Sequence, residues 1–334
     1  MPASRDPRPQ HPRRARRRAR TTIASEGVPV VLVPVVLVAV LLVTAACGSD
    51  HKSAAPVSGC TTDSTSGVQG SALLPVPPAQ VTVLNPGADP KSSIAYRPDR
   101  AAPQQVTLTA TSALNSSAGP AGPQSNTTSV TMPLTARAHC VDATDVEMTI
   151  GAATSPDADL NSALKATKDS QAGMAMGPGL APISLRILPA KSANDAARQA
   201  IESSLVGSLQ RSVTVPTDVP LGIGAQWRTE RTVDSGTQVK QTITATLRAR
   251  DGDRLTIDFS IDESPLNSVF AIPGSTQTLT IDTYTMAGTG SVVLDLGRGL
   301  PVTGNLTISG GRTLSGDDPT NPLIQQMSFT DSWQ

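Results

Sequence analysis

The stretch Val239-Lys240-Gln241-Thr242-Ile243-Thr244-Ala245-Thr246-Leu247-Arg248-Ala249, resumed after Asp251-Gly252-Asp253 as Leu255-Thr256-Ile257-Asp258-Phe259-Ser260-Ile261-Asp262, decides the fold class. Its apolar residues fall on odd positions: Val239, Ile243, Ala245, Leu247 and Ala249, then Leu255, Ile257, Phe259 and Ile261. A period of two over this length describes strands with one face buried and one face wet. Residues directly opposite in a hairpin share a face, so odd positions must pair with odd positions. A two-residue Asp-Gly loop would pair odd with even and turn one strand inside out. Parity therefore predicts a three-residue turn, Asp251–Asp253, with a bulge.

The alternation recurs along the chain. It runs through Val106, Leu108 and Ala110; Val130 to Cys140; Val146, Met148 and Ile150; Ile183, Leu185 and Ile187; and Ala225, Trp227 and Val233. Later come Leu279 and Ile281, Val292 to Leu296, Val302 to Ile308, and Met327 to Trp333. Together these make about eleven strands. Two helices interrupt them. Ala197, Ile201, Leu205 and Leu209 repeat at four-residue spacing behind Ser192 and Asp195, an amphipathic stripe with a capping start at Ser192. A shorter helix is predicted from Pro156 to about Gln171, with Ser155 as cap and Pro156 in the first position. Many antiparallel strands with two central helices predict an α+β fold: a curved antiparallel sheet, or half-barrel, with the helices on its concave face.

Upstream of the strands, six arginines between Arg13 and Arg20 precede an uncharged apolar run from Val28 to Ala46, and Val43-Thr44-Ala45-Ala46 leads into Cys47. A basic head, an apolar run and a small-residue exit at cysteine resemble a bacterial lipoprotein signal. Thr44 stands where such signals usually carry leucine. On this reading residues 1–46 are removed and Cys47 is lipidated, placing the protein on the extracytoplasmic face of the cell membrane. Residues 47–80, rich in Ser, Thr, Gly, Ala and Pro, would form a flexible tether reaching about 30 Å on average. The folded domain would be 81–334.

Export changes the charge. The chain holds 27 basic and 27 acidic residues; residues 1–46 take eight arginines, Asp6 and Glu26, leaving 19 against 25, or −6. A mildly acidic exported domain has no electrostatic footprint for nucleic acid. With Cys47 given to lipid, Cys60 and Cys140 remain as an even pair in an oxidising compartment, and a disulfide between them is expected.

Residue types suited to catalysis or metal binding form no converging set in the sequence. Of three histidines, His11 leaves with the signal, His51 lies in the tether and His139 falls on the outward parity of its strand. No nucleophile elbow, phosphate loop or metal-ligand spacing occurs. Asp317-Asp318 reads as a solvated turn rather than a calcium loop, and Ser291 has no base in sight. The chain is therefore expected to be non-catalytic, without cofactor or metal. Seven aromatic residues provide no stacking platform, and Trp227 reads as a core plug.

Tyr96-Arg97-Pro98 leading to Gln104-Gln105-Val106-Thr107-Leu108, Gly87-Ala88-Asp89-Pro90, Gly222-Ile223-Gly224-Ala225-Gln226-Trp227, and Gly288-Thr289-Gly290 running to Leu300-Pro301-Val302 resemble a family of actinobacterial secreted lipoproteins of unknown activity. The strand count and central helices are more distantly similar to lipoprotein-carrier half-barrels of bacterial envelopes. That resemblance implies a hydrophobic, lipid-like ligand held between sheet and helices; the alternative is a non-catalytic envelope interaction or structural module. A carrier predicts a continuous apolar cleft beneath the Ala197–Leu209 stripe, and a module predicts that helix seated flush. Either way, Cys47→Ala is expected to leave folding intact and release the protein from membranes. A full-length variant that still fractionates with membranes contradicts the lipid anchor.

Overall fold

The computed structural model describes residues 59–119, 122–272 and 274–334. Cys47 and the apolar run before it lie outside the described residues. The chain enters through β1 (Ala72–Pro75) and β2 (Gln80–Asn85), then β3 (Gln104–Ala118), β4 (Pro123–Ala138) and β5 (Asp145–Ile150). Helix α1 (Ala158–Leu164), β6 (Gln171–Gly177), β7 (Ala181–Leu188) and helix α2 (Asp195–Gln210) follow. The second half is β8 (Gln226–Asp234), β9 (Gln238–Asp251), β10 (Arg254–Pro265), β11 (Val269–Ala271), β12 (Thr278–Asp295), β13 (Thr303–Ser315) and β14 (Leu323–Trp333). All strands join one antiparallel sheet in the order β1-β7-β6-β5-β4-β3-β14-β13-β12-β10-β9-β8-β2, with β11 beside β12. The expected α+β class and curved sheet are observed.

The curvature follows from chain connectivity. β1 and β2 lie at opposite ends of the strand order yet are separated by only Val76–Ala79. Five peptide units span at most about 18 Å, whereas thirteen strands laid flat would be about 58 Å across. The sheet must curl until its edges approach. Val76 continues the β1 edge, its N–H donating to the Ile183 carbonyl at 3.1 Å. Pro77 and Pro78, which have no N–H to donate, follow directly.

This corrects the tether. Residues from Gly59 onward belong to the fold, not to a linker ending at residue 80. Cys60 is bonded to Cys140 with a Cα–Cα distance of 5.1 Å, and Thr61 bridges to His139. Closing an 80-residue loop stabilises by roughly 4 kcal/mol in the chain-entropy model. Beyond the disulfide the leader docks on the convex face. Glu147, Gly173 and Arg186 are register partners on β5, β6 and β7. Arg186 pairs with Asp145 and with Glu147, the latter at 3.0 Å. Into the space above Gly173 comes Thr65: its N–H and Oγ1 donate to the Glu147 carboxylate at 3.0 and 2.9 Å, and its Oγ1 accepts from Arg186 Nε at 3.0 Å. A composition poor in large side chains suggested disorder; what orders the segment is a disulfide and a buried ion cluster rather than apolar area.

Among the described residues fourteen strands replace the expected eleven. The segments around Leu279 and Val292 are one strand, β12, while β1, β2, β6 and β11 escaped the periodicity. β6 (Gln-Ala-Gly-Met-Ala-Met-Gly) is buried on both faces and so does not alternate. The turn is also corrected. Asp251 pairs with Arg254, leaving a two-residue Gly252-Asp253 loop, and Leu255 sits opposite Arg250. Parity is restored one step later by a bulge at Arg248: Thr256 opposes Ala249, but Ile257 opposes Leu247. The parity argument needed an extra residue, which lies inside the strand, and Ala249 is exposed as a result. A register shift across from Met176 likewise skips Ile183, turning it outward instead of into the core.

Both helix starts move inward. α2 is capped by Asn194, whose Oδ1 accepts from the Ala197 N–H, and not by Ser192. α1 is capped by Asp157 and covers Ala158–Leu164 only, because Lys165–Thr167 tightens into a 3₁₀ turn and β6 begins at Gln171. The stripe Ala197, Ile201, Leu205 and Leu209 is buried in the main core with Leu108, Met132, Trp227 and Ile243. α2 packs against β3, β4 and β7.

A Cβ on Gly173 would fall 2.2 Å from Thr65 Oγ1 and 2.4 Å from an Arg186 nitrogen. Gly173→Ala is therefore expected to lower stability by about 1–3 kcal/mol in urea unfolding. It should also open residues 61–71 to limited proteolysis while leaving the disulfide intact.

Candidate functional site

Two neighbouring faces of α2 differ in size. The core stripe is large; beside it Ala196, Ala200, Ser203, Ser204 and Gly207 present little bulk. Opposite these small residues the sheet does not close in, and a groove of about 530 Å³ remains. Ser112, Thr128, Gln241, Glu263 and Phe329 line it from the strands, and Gln199 and Ser203 from the helix. That volume lies in the range of small-molecule sites, and its walls mix hydroxyl, amide and carboxylate groups with apolar ones.

Polar residues occupy inward positions at one end of the sheet, and of these Gln241 and Glu263 line the groove. Gln241 is opposite Glu263, Tyr284 opposite Arg312, and Arg312 opposite Gln325. Gln241 Nε2 and Tyr284 Oη donate to the two Glu263 oxygens at 3.0 and 3.1 Å, and Arg312 Nε donates to Gln325 Oε1 at 2.7 Å. Burial, with the Glu263 charge second, pushes the Tyr284 hydroxyl well above the ordinary tyrosine range. It thus remains a donor at physiological pH. Arg312 lies over the Phe270 ring at 4.1 Å, and burial lowers its guanidinium pKa.

At the other end lies a smaller, almost wholly apolar pocket of about 60 Å³, with Met176, Leu209, Phe259, Leu294, Leu306 and Trp333 among its walls. Arg211, the C-cap of α2, and Asp331 on β14 line both spaces, and among the described residues no other does. They form an ion pair at 3.1 Å, Asp331 being almost fully buried, and Arg211 lies over the Phe329 ring at 4.9 Å. Gly207, in the last turn of α2, leaves room for this: a Cβ there would sit 3.0 Å from an Arg211 nitrogen.

The segment after α2 is held down by two donors. Trp227 Nε1 donates to the Thr214 carbonyl at 2.8 Å and Arg231 to the Ser212 carbonyl at 2.9 Å. Trp227 is fully buried, as a core plug should be. Arg231 is buried with its Nε unpartnered, and desolvation lowers its pKa to about 10.

Of the residues singled out from sequence, Cys60 and Cys140 are brought together, and Cys47 lies outside the described residues. His139 sits beside the disulfide, its Nδ1 accepting long contacts from the Val141 and Asp142 N–H groups. Ser291 lines the apolar pocket. Asp318 accepts from the Thr320 and Asn321 side chains and the Thr320 N–H, which hold its carboxyl below the usual range in a solvated turn. Among the described residues no group of three or more His, Cys, Asp or Glu could hold a metal ion, and no helix is long and apolar enough to cross a membrane. The groove residues were missed, although a small-residue face beside a large one on α2 was readable.

No family model matches the chain, and no curated protein does. Among solved structures it is similar to the binding domain of botulinum neurotoxin serotype D/C at 9% identity and a TM-score of 0.12, covering 75% of this chain and 89% of that one. A receptor-binding domain gives 9% identity and a TM-score of 0.13, with 78% and 88% covered. Likeness this slight carries no argument about fold or function.

Arg231 has no ion-pair partner among the described residues, and burying its charge is costly. Arg231→Met is therefore expected to raise stability by about 1–3 kcal/mol, read as a higher urea midpoint with an unchanged slope.

Proposed function

We propose that this protein is a lipid-anchored, non-catalytic envelope lipoprotein that binds an amphiphilic, lipid-like ligand in the groove beside α2. The observation that carries this reading is the sequence of surfaces along β14. Its inward residues run from Gln325 in the polar row through Met327 to Phe329 in the groove, and only beyond the charged Asp331 to Trp333 in the apolar pocket. A ligand with a polar head and an alkyl chain matches that gradient. The head would meet Gln241 and Glu263, and the chain would lie toward Phe329. Each methylene buried would contribute about 0.8 kcal/mol.

The cleft differs from a simple carrier's. The core stripe of α2 is seated flush over most of its length, with Ala197 at 0% and Leu205 at 2% exposure, so no continuous apolar cleft runs beneath it; only Leu209 borders the small apolar pocket. That seating favours a second reading, an interaction module whose partner engages the outer face. The groove favours the first, because a module has no need of an unfilled interior of this size.

Native mass spectrometry of residues 48–334, which contain every described residue, separates the two. Lipid-like masses that co-purify and leave on denaturation are expected, with loss of at least tenfold in occupancy for Ala200→Trp, which fills the groove. A bare polypeptide mass, still bare after incubation with membrane lipid extract, supports the module instead.

A further inference from the structure

Resting on the groove reading, we propose that the Arg211–Asp331 ion pair is a length stop, the element that sets how far an alkyl chain lying in the groove can extend. Among the described residues these two are the whole of the shared boundary between the groove and the apolar pocket. On β14, Phe329 faces the groove, Asp331 the boundary and Trp333 the pocket; on β13, Ile308 faces the groove and Leu306 the pocket. The track along both strands is thus apolar on either side of one charged pair.

The pair is fixed from several directions. Arg211 Nε donates to Asp331 Oδ2 at 3.2 Å, and its guanidinium rests on Phe329. Gly207, one turn earlier in α2, leaves the space the guanidinium occupies. An alkyl chain reaching the pair could advance only by displacing a buried ion pair, which breaks at high cost when one partner is left uncompensated.

The test replaces the pair by apolar residues, Arg211→Met with Asp331→Leu, a change that well-packed sites often tolerate. A second variant, Asp331→Asn, keeps the shape and removes the charge. Wild type and both variants of residues 48–334 are titrated calorimetrically with n-alkyl maltosides from octyl to tetradecyl, below their micellar concentrations, after cooperative unfolding confirms that each is folded. For wild type, affinity should rise with chain length and then level off. For the double variant the rise should continue, at roughly fourfold per methylene, reaching about sixteenfold over wild type two methylenes beyond the plateau. Asp331→Asn should shift in the same direction by less. Folded variants that keep the wild-type plateau overturn the stop while leaving the groove in place. Absence of binding by all three folded proteins overturns the groove reading, and the stop with it.

Discussion

Four residues, Val76–Ala79, connect strands at opposite edges of the sheet, and the remaining architecture follows from that short reach. A sheet of this width cannot stay flat when its edges are tied within about 18 Å. Curling it makes one face concave, and that face receives the helices and the core. The same leader that ties the edges is fixed to the convex face by the Cys60–Cys140 bond and by Thr65 in the Glu147–Arg186 cluster. The leader therefore acts as a strap, and the curvature, the covered edges and the docked convex surface depend on it together.

Inside the curve, side-chain size decides what is filled. Ile201, Leu205 and Leu209 reach the sheet and exclude water, whereas Ala196, Ala200, Ser203 and Gly207 on the adjoining face fall short of the opposite strands. The groove runs along this face, where the small residues are interspersed with Gln199, Val206 and Gln210. Its polarity has a different source. Inward positions near one end of β9, β10 and β12–β14 carry Gln241, Glu263, Tyr284, Arg312 and Gln325, which satisfy most of one another's hydrogen bonds. Three hydrogen bonds tie the row together, which offsets much of the cost of burying it, although Gln241 Oε1 has no hydrogen-bond partner among the described residues. Outside that row Arg231 has a hydrogen bond to the Ser212 carbonyl and no counter-ion among the described residues, and it sits where the chain after α2 is held down.

The positions where the sequence misled are instructive. Alternation located β3, β4, β5 and β8–β10, because one wet face and one dry face write themselves into a period of two. It lost β6, whose two faces are both buried, and it joined Ala249 and Ile183 to the core because a bulge leaves no mark in hydropathy. The leader was read as loose from its small residues, yet order there rests on Thr65, Glu147 and Arg186, an interaction of residues 82 and 121 positions apart. The groove was illegible for the same reason. Arg211 and Asp331 are 120 residues apart, and nothing local to either announces that they meet.

The sequence by itself determined the α+β class, the parity of most strands, the core stripe of α2 and the pairing of Cys60 with Cys140. These are properties of local periodicity and of residue counts. Only the tertiary structure decided the strand order, the strap, the place of the bulge and the division of the interior between a polar groove and an apolar pocket. Those features depend on which distant residues become neighbours when the sheet curls, and neighbourhood across a curved sheet is set by register and connectivity, not by any single stretch of chain.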